Sequence, residues 1–401
     1  MNNPKILIVT ECFYPEEFNI NDIASSWIDK GYKVDVLTLV PTYPLGRVLD
    51  GYKNRLIARE VYNDICIYRV HAVTGYKDNK FKKILKYINF MFLGSIIALF
   101  IGRKYDYVFG YNIGALTDMV PAVVIRKIYN KPLMFWVQDI WPESIYAYGF
   151  KKTKILSSFL NIFVKFMFHN ISAIAISGRG FKEKLSPYVR KNINFNYLPN
   201  WAINLTNDPE KFEFSSQRRV HFTFTGNIGK VQNLENIVLA FNLLSNKYKS
   251  RAQLNIIGNG SHLKHLIGIS SKNSHIIFYG LKKRSEMSKF YKASDFLIVS
   301  LIGNPIFSVT VPAKTQTYIA AKKPILAIIN GDTADIIRDN NLGLCVDPSN
   351  IKSIHDTFQK CIDMSKSQRD AFVINNDILL NGIFDKENII NNLTKILVQK
   401  L

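Results

Sequence analysis

Short apolar runs recur through the second half of this 401-residue chain and most of them end at glycine. They cover residues 222–229, 254–260, 276–280 and 295–300, and the first three end at a glycine. The stretches between them carry apolar residues at helical spacing, as in Leu234, Ile237, Val238 and Phe241. Strand, glycine turn and helix in repetition predict a parallel sheet with crossover helices.

Glycine at the carboxyl end of such strands also points to a ligand. Ligands of open parallel sheets bind at this edge, where glycine lets backbone N–H groups approach an anion. We therefore expect Gly226, Gly229 and Gly258 to lie at a nucleotide site. A glycine that merely ends its strand explains any one of them, whereas the series favours nucleotide binding.

The first half repeats the same logic and indicates a second domain. Predicted strands cover residues 5–10, 33–39, 105–109, 133–137 and 173–177, and residues 20–30 have helical period. Residues 204–219 lack apolar period and are taken as a linker. We predict an α/β fold of two Rossmann-like parallel-sheet domains facing a cleft, over 1–205 and 206–385. Residues 386–401 form a helix that can pack back on the first domain.

Composition limits the chemistry. Hydrophobic residues make up 47% of the chain, which is typical of a folded protein. The four cysteines and seven histidines are scattered without metal-ligand spacing, so we expect no metal site and a reducing, cytoplasmic compartment. Residues 6–9 are too short for a secretory signal and are interpreted as a first strand.

The net charge of +21 requires an acidic partner, namely nucleic acid, anionic lipid or a phosphorylated substrate. We find no nucleic-acid-binding motif, and the lysines are spread along the chain. A codon bias toward Lys, Asn and Ile explains part of the excess. The remaining candidates are a lipid surface and a phosphorylated ligand.

Two apolar segments with basic neighbours indicate a membrane surface. Residues 90–101 are uncharged and follow four lysines, but they are too few to span a bilayer core, which needs about 20 apolar residues. Residues 151–169 mix lysines with bulky apolar side chains. Helices in the lipid interface have this composition, so we predict peripheral contact through 81–104 and 151–169. Two core helices flanked by solvated lysines are the alternative.

Candidate acid–base residues follow the predicted strand at 133–137. Asp139 and Glu143 lie in the motif Trp136-Val-Gln-Asp-Ile-Trp-Pro-Glu-Ser144. A carboxylate at the strand's carboxyl end, beside two tryptophans, is a candidate general base or a stabiliser of developing positive charge. Both carboxylates can instead cap the following helix.

A candidate diphosphate site lies in residues 311–321, which predict a loop entering a helix. Lys314 near the helix start adds a cation to the positive helix end. Gln316 and Thr317 follow it and complete the set that we expect to contact the donor. An ordinary amphipathic helix with a solvated lysine is the alternative.

Six motifs follow one another along the chain: Phe13-Tyr-Pro-Glu16, Pro41-Thr-Tyr-Pro-Leu-Gly46, Gln138-Asp-Ile-Trp-Pro-Glu-Ser144, Leu198-Pro-Asn-Trp201, Gly226-Asn-Ile-Gly-Lys-Val-Gln232 and Val311-Pro-Ala-Lys314. In this order they resemble the motifs of glycosyltransferase family 4, whose fold is GT-B. The resemblance covers essentially the whole chain, and within the family it is to the WbuB-type transferases of O-antigen and capsule assembly.

The resemblance implies sugar transfer from a nucleotide sugar in the C-terminal domain to an acceptor in the N-terminal domain, without a required metal. Gly226 and Gly229 would approach the phosphates, and backbone groups around Leu281 would read the base. A UDP-linked 6-deoxy amino sugar such as N-acetyl-L-fucosamine and an undecaprenyl-diphosphate-linked acceptor are the implied substrates. The implied place is the cytoplasmic face of the inner membrane.

Departures from the family pattern keep alternatives open. Asn227 and Gln232 stand where the family has an Arg and a Lys that grip phosphate, so Lys230 and Lys314 are the substitutes. Thr317 stands where a glutamate binds the ribose. The alternatives are a GDP-sugar transferase of fucose or mannose type, a non-hydrolysing nucleotide-sugar epimerase and a non-catalytic assembly partner. The stereochemical outcome stays open, with the family favouring retention.

Overall fold

The chain divides into two units in the computed structural model. One comprises Met1–Pro199 together with Glu387–Leu401, and the other comprises Asn200–Lys386. The structure describes residues 3–76, 79–147, 150–202, 205, 212–214, 219–270 and 273–399. Most of the linker predicted at 204–219 lies outside the described residues.

The N-terminal unit alternates strands and helices along the chain. Its strands are β1 (Lys5–Thr10), β2 (Lys33–Leu39), β3 (Ile57–Tyr62), β4 (Ile65–Val70), β5 (Tyr107–Asn112), β6 (Leu133–Val137), β7 (Ala173–Ile176) and β8 (Phe195–Tyr197). Its helices up to Pro199 are α1 (Asn19–Asp29), α2 (Lys80–Ile101), α3 (Val120–Tyr129), α4 (Glu143–Ala147), α5 (Lys154–His169) and α6 (Phe181–Leu185). Short 3-10 helices cover Gly102–Lys104 and Leu116–Met119.

The described strands of this unit form one sheet in the order β3-β4-β2-β1-β5-β6-β7-β8. Neighbouring strands are parallel except β3 and β4, which form an antiparallel hairpin at one edge. The central strands β1 and β6 are apolar and almost wholly buried, as expected for strands covered by helices on both faces. The order reverses direction between β1 and β5, so the carboxyl ends of these two strands flank the crevice where such sheets bind ligands.

The C-terminal unit repeats this plan with a smaller sheet. Its strands are β9 (Val220–Thr225), β10 (Ala252–Ile257), β11 (Ile276–Gly280), β12 (Phe296–Ser300), β13 (Ile325–Ile328) and β14 (Gly343–Val346). Its helices are α7 (Leu234–Asn242), α8 (Asn246–Lys249), α9 (Leu263–Ile269), α10 (Met287–Ala293), α11 (Pro305–Ser308), α12 (Lys314–Ala320), α13 (Asp332–Asp339), α14 (Ile351–Asp363), α15 (Lys366–Asp370) and α16 (Asn376–Leu380). Short 3-10 helices cover Lys230–Gln232, Arg284–Glu286 and Ala371–Val373.

Where it is described, this second sheet is wholly parallel and has the order β11-β10-β9-β12-β13-β14. Its topological switch point therefore lies between β9 and β12. One core contains buried residues of β9, β10 and β12 together with residues of α7 and α14; the strands contribute Phe222, Phe224, Leu254 and Ile298. The core fixes the strand ends, and these carry the loops of the candidate donor site.

The last helix, α17 (Lys386–Gln399), lies with the N-terminal unit except for its first residue. Its residues Ile389, Ile390 and Leu393 are buried. The indole nitrogen of Trp27 in α1 donates to Thr394 Oγ1 at 2.8 Å. A segment distant in sequence thus completes the core beneath α1.

Candidate functional site

Two glycines shape the loop after β9 at the switch point of the C-terminal sheet. Gly226 has φ +121° and Gly258, after β10, has φ +144°, conformations that side-chain-bearing residues rarely adopt. A Cβ at Gly258 would lie 1.8 Å from the carbonyl oxygen of Gly226. The two loops can pack this closely only because residue 258 is glycine, and Gly226 itself is exposed at the sheet edge.

Lys314, the first residue of α12, brings a cation to this edge. Its Nζ donates to the carbonyl oxygen of Thr225 at 2.9 Å and lies 3.9 Å from the ring centroid of Phe224. The ammonium is 3.4 Å from the point that a Cβ of Gly226 would occupy. Within the described part of the chain, no carboxylate pairs with it. Burial without such a partner lowers the pKa of Lys314 to about 7.

Gln316 and Thr317 face inward from the same helix. Both are buried, and Thr317 Oγ1 donates to the Ala313 carbonyl one turn earlier at 3.2 Å. With its amide oriented to satisfy its neighbours, Gln316 donates to the carbonyls of Pro312 and Ala313 at 3.1 and 3.2 Å. Their polar groups form hydrogen bonds with their own helix and the loop before it. The structure therefore does not support the predicted contact of either side chain with the donor.

The side chain of Gln232 bonds the backbone N–H of Gly229, a group that the sequence predicts to contact phosphate. Its Oε1 accepts from the backbone N–H of Gly229 at 3.0 Å and lies 3.5 Å from the amide nitrogen of Asn227. The Gly229 amide is therefore engaged within the loop. Lys230, in the 3-10 helix that follows, is exposed and is the second cation of this loop.

Leu281 lies at the same edge of the sheet. Gly280 ends β11 with φ +68°, and its carbonyl accepts from Gly258 N at 2.9 Å. This bond and the one from Gly226 N to Ile257 O, also 2.9 Å, join the loops after three neighbouring strands. The side chain of Leu281 is 68% exposed beside them. The sheet thus brings Gly226, Gly258, Leu281 and Lys314 to one edge.

In the N-terminal unit, Asp139 lies just beyond β6. Its Oδ1 accepts from the backbone N–H of Ile140 at 3.0 Å. Burial raises the pKa of Asp139 to about 6. Glu143 begins α4, and burial raises the pKa of this carboxyl as well. Asp139 therefore has the titration range of a general base that works near neutral pH.

The sequence reasoning missed a buried ionic group at the other side of this edge. Glu11 directly follows β1, and its carboxylate forms an ion pair with Lys86 of α2. Both side chains are largely buried, at 13% and 8% exposed. Lys86 is one of the four lysines that precede the apolar run at residues 90–101, but it lies on the buried face of α2, one turn before Phe90. That spacing was the available signal.

Asp118 completes this group from the 3-10 helix after β5. Its carboxyl is buried, and burial first and the charge of Glu11 second raise its pKa well above the usual range. A carboxyl that keeps its proton can donate a hydrogen bond to the neighbouring carboxylate. Glu11, Lys86 and Asp118 therefore form a polar centre at the switch point between β1 and β5.

The motifs around Glu16 and Tyr43 are joined by the fold. Glu16 is buried, and its Oε1 accepts from the backbone N–H groups of Thr42 and Tyr43 at 2.9 and 2.7 Å. The carboxylate thus ties the loop after β1 to the loop after β2. This places the Phe13–Glu16 and Pro41–Gly46 motifs side by side.

The two predicted membrane segments form helices with exposed apolar faces. Phe81–Lys104 covers α2 from its second residue together with the 3-10 helix that follows. It is long and apolar enough to cross a membrane by length and composition, although 28% of its most apolar window is buried in the protein. The apolar helix is longer than the uncharged run at residues 90–101 and agrees in extent with the predicted segment 81–104. On α5, Ile155, Phe159 and Ile162 are 86%, 66% and 71% exposed.

Part of the C-terminal unit matches a known protein family, and a longer stretch of the chain matches a related protein. Residues 207–376 match the family described as glycosyl transferases group 1. Over 268 residues the chain is 26% identical to the Pseudomonas aeruginosa protein described as "Probable glycosyltransferase WbjE", covering 63% of this chain and 65% of that protein. The chain thus spans slightly less than two thirds of that relative's length.

Solved structures resemble the whole chain. They include a trehalose 6-phosphate synthase from Burkholderia multivorans, with TM-score 0.74 and 12% identity over 100% of this chain and 99% of that one. Anabaena HepE, solved with UDP and glucose, has TM-score 0.67 and 12% identity over 99% and 100%. WaaG, described as a glycosyltransferase involved in lipopolysaccharide biosynthesis, has TM-score 0.65 and 14% identity over 98% and 99%.

These neighbours and the two parallel-sheet units confirm the predicted GT-B fold. The domain match and the glycosyltransferase neighbours together support a glycosyltransferase. The narrower resemblance to family 4 and to WbuB-type enzymes stays a prediction.

Proposed function

We propose that this chain transfers a sugar from a nucleotide sugar, carried by its C-terminal unit, to an acceptor hydroxyl carried by its N-terminal unit. The observation that carries the proposal is Lys314, an ammonium held at the switch point beside the Gly226 loop. A diphosphate is the ligand that fits a cation and exposed glycine backbone at this edge. The UDP and glucose named for the HepE structure are consistent with it.

Lys314 would act on the leaving group. Negative charge grows on the nucleoside diphosphate as the bond to the sugar breaks, and a fixed cation stabilises that charge in the transition state. The binding of a diphosphate favours the charged form of Lys314, whose pKa is about 7 without ligand. Donor binding above pH 7 would therefore take up a proton. This chemistry needs no metal, and we propose a metal-independent reaction.

Asp139 would act on the acceptor. With a pKa of about 6 it is ionised at neutral pH and can accept the hydroxyl proton as the new bond forms. Its position just after β6 puts it at the sheet edge where Glu11, Lys86 and Asp118 also lie. A base at this position permits inversion, while the family resemblance favours retention, and analysis of the product's anomeric configuration decides between them.

For the substrates we propose a UDP-linked 6-deoxy amino sugar as donor and an undecaprenyl-diphosphate-linked saccharide as acceptor. The support is the sequence resemblance to O-antigen and capsule enzymes. WaaG, described as involved in lipopolysaccharide biosynthesis, agrees with this class of pathway. A lipid diphosphate acceptor also accounts for the net charge of +21.

For location we propose peripheral binding to the cytoplasmic face of the inner membrane. Lys86 of α2 is paired with Glu11 inside the protein, and Phe90 is buried, so one face of this helix belongs to the core. Phe92 and Phe100 are exposed on the remaining surface, at 61% and 83%. A helix with one face fixed in protein and one apolar face in solvent suits the lipid interface better than a span.

The test is nucleotide release by the purified full-length chain, assayed with UDP-, GDP- and dTDP-sugars in EDTA. Each donor is assayed with and without a short lipid-diphosphate N-acetylglucosamine acceptor. We expect acceptor-dependent release of one nucleotide and a product larger by one sugar. Release that is independent of the acceptor and yields an altered free sugar would instead indicate the epimerase.

A second candidate is a non-catalytic partner that binds a nucleotide sugar. The observation in its favour is Gln232, which stands at a position of the family's phosphate-gripping residues and engages the Gly229 amide. This arrangement weakens the grip on the diphosphate. Binding of a nucleotide sugar without turnover across the donor panel would establish this candidate and contradict the transferase.

A further inference from the structure

Three side chains of the C-terminal unit come together at α7 and the start of α9, although Glu235 is distant in sequence from the other two. Glu235 lies in the first turn of α7, His262 immediately precedes α9, and His265 lies within α9. One ligand atom from each residue lies within 4.8 Å of the others. The expectation of no metal site rested on scattered histidines, and the fold brings two of them to one carboxylate.

We infer that Glu235, His262 and His265 form a binding site for a divalent transition-metal ion such as Zn²⁺. Glu235 Oε2 lies 3.3 Å from Nε2 of His262 and 3.3 Å from Nε2 of His265. In a tetrahedral zinc site with ligands at about 2.0–2.1 Å, neighbouring ligand atoms are about 3.3 Å apart. The carboxylate–imidazole distances therefore match two edges of a zinc tetrahedron.

The ligand set favours transition metals over magnesium and calcium. Two imidazoles and one carboxylate suit zinc, copper, nickel and iron, whereas magnesium and calcium prefer oxygen ligands. Solvent can supply the fourth ligand because the His265 side chain is 45% exposed. The site therefore has the ligand count of an open zinc centre on the protein surface.

The elements that carry the ligands are held in place by packing. Leu234 and Ile237 of α7 and Leu266 of α9 are buried in the core of the unit. The backbone N–H of His262 donates to the carbonyl of Ile228 at 2.9 Å. Ligands on fixed elements lose less freedom on binding than ligands on loose loops.

The same hydrogen bond connects the proposed metal to the donor loop. Ile228 lies between Gly226 and Gly229, and its own N–H donates to the carbonyl of Asn259 at 2.9 Å. A metal that holds His262 would therefore steady one side of this loop. The ion would have a structural role, distinct from the chemistry proposed at Lys314. Transfer activity in EDTA therefore tests the proposed reaction, whereas metal titration tests this site.

The test is titration of tag-free, full-length protein with Zn²⁺ by calorimetry, repeated with Mg²⁺. We expect one Zn²⁺ per chain and no binding of Mg²⁺. Both His265→Ala and Glu235→Gln should weaken Zn²⁺ binding at least about tenfold, since even loss of an outer-shell partner costs about 10–100-fold. Co²⁺ bound at the site should show the intense visible absorption of a tetrahedral centre.

His355→Ala is the matched control. His355 Nδ1 lies 2.8 Å from a carboxylate oxygen of Asp356, but among the described residues no third ligand completes a cluster there. This variant should keep the wild-type affinity for Zn²⁺. Equal affinity in His265→Ala and wild type, or equal losses in His265→Ala and His355→Ala, would overturn the inference.

Discussion

Replacement of Lys314 by methionine removes the ammonium and keeps most of the side-chain volume. The charge-assisted hydrogen bonds that it would make to a diphosphate are worth about 1.5–3 kcal/mol. This corresponds to a loss of about 10- to 150-fold in affinity for the nucleotide sugar. The fold should persist, because within the protein Nζ bonds a backbone carbonyl at the surface edge of the sheet.

The pH dependence gives a sharper signature. With a pKa of about 7 in the free protein, Lys314 is about nine tenths charged at pH 6 and about one tenth charged at pH 8. A bound diphosphate keeps it charged, so donor affinity should fall about tenfold between these pH values. The diphosphate of a nucleotide sugar carries no group that titrates near pH 7, so the donor itself does not produce this slope.

Calorimetry with an intact nucleotide sugar at constant ionic strength measures both effects. In two buffers of different ionisation enthalpy it also counts the proton taken up at pH 8. Lys314→Met should lose the affinity, the slope and the proton uptake together. Lys230→Met, which removes an exposed lysine of the same loop, should keep the slope. Wild-type affinity with an unchanged slope in Lys314→Met would refute the reasoning.

Three further predictions concern stability and membrane binding. Gly258→Ala should destabilise the fold by about 3 kcal/mol or more, because its Cβ meets backbone, whereas Gly268→Ala, with open space around it, should be neutral or stabilising in urea denaturation. Lys86→Met should cost about 3–5 kcal/mol at neutral pH by stranding the Glu11 carboxylate, and less at acidic pH, where Glu11 takes up a proton; a pH-independent loss would contradict the ion pair. Phe159→Ser should reduce sedimentation with anionic vesicles without lowering the unfolding midpoint, and undiminished sedimentation would argue against α5 as the contact.

The buried parallel strands could be read from the sequence. The predicted bounds of β1, β2 and β6 agree with the structure. In β1 and β6 the reason is the continuous apolar run that is typical of strands covered on both faces. The hairpin of β3 and β4 was missed. Its edge strand β3 alternates exposed and half-buried residues, so it lacks that run.

Site residues were predictable only where they lie next to the end of a strand or the start of a helix that the sequence itself predicts. Asp139 and Lys314 stand next to a strand end or a helix start, so their positions at the sheet edge could be inferred. The sequence predicts a lipid-facing surface for Lys86, because composition alone does not distinguish one buried lysine from its exposed neighbours. The cluster of Glu235 with His262 is set by packing of α7 against α9, which the linear spacing of the two residues does not encode.

The central claim is that the two units perform separate parts of one transfer reaction. It is tested most directly by measuring donor dissociation constants and single-turnover transfer rates for wild type, Lys314→Met and Asp139→Asn. We predict weakened donor binding in Lys314→Met. For Asp139→Asn we predict unchanged donor binding with transfer slowed at least about 100-fold, the scale of general base catalysis. Near-wild-type transfer by Asp139→Asn, or intact donor binding by Lys314→Met, would contradict the account.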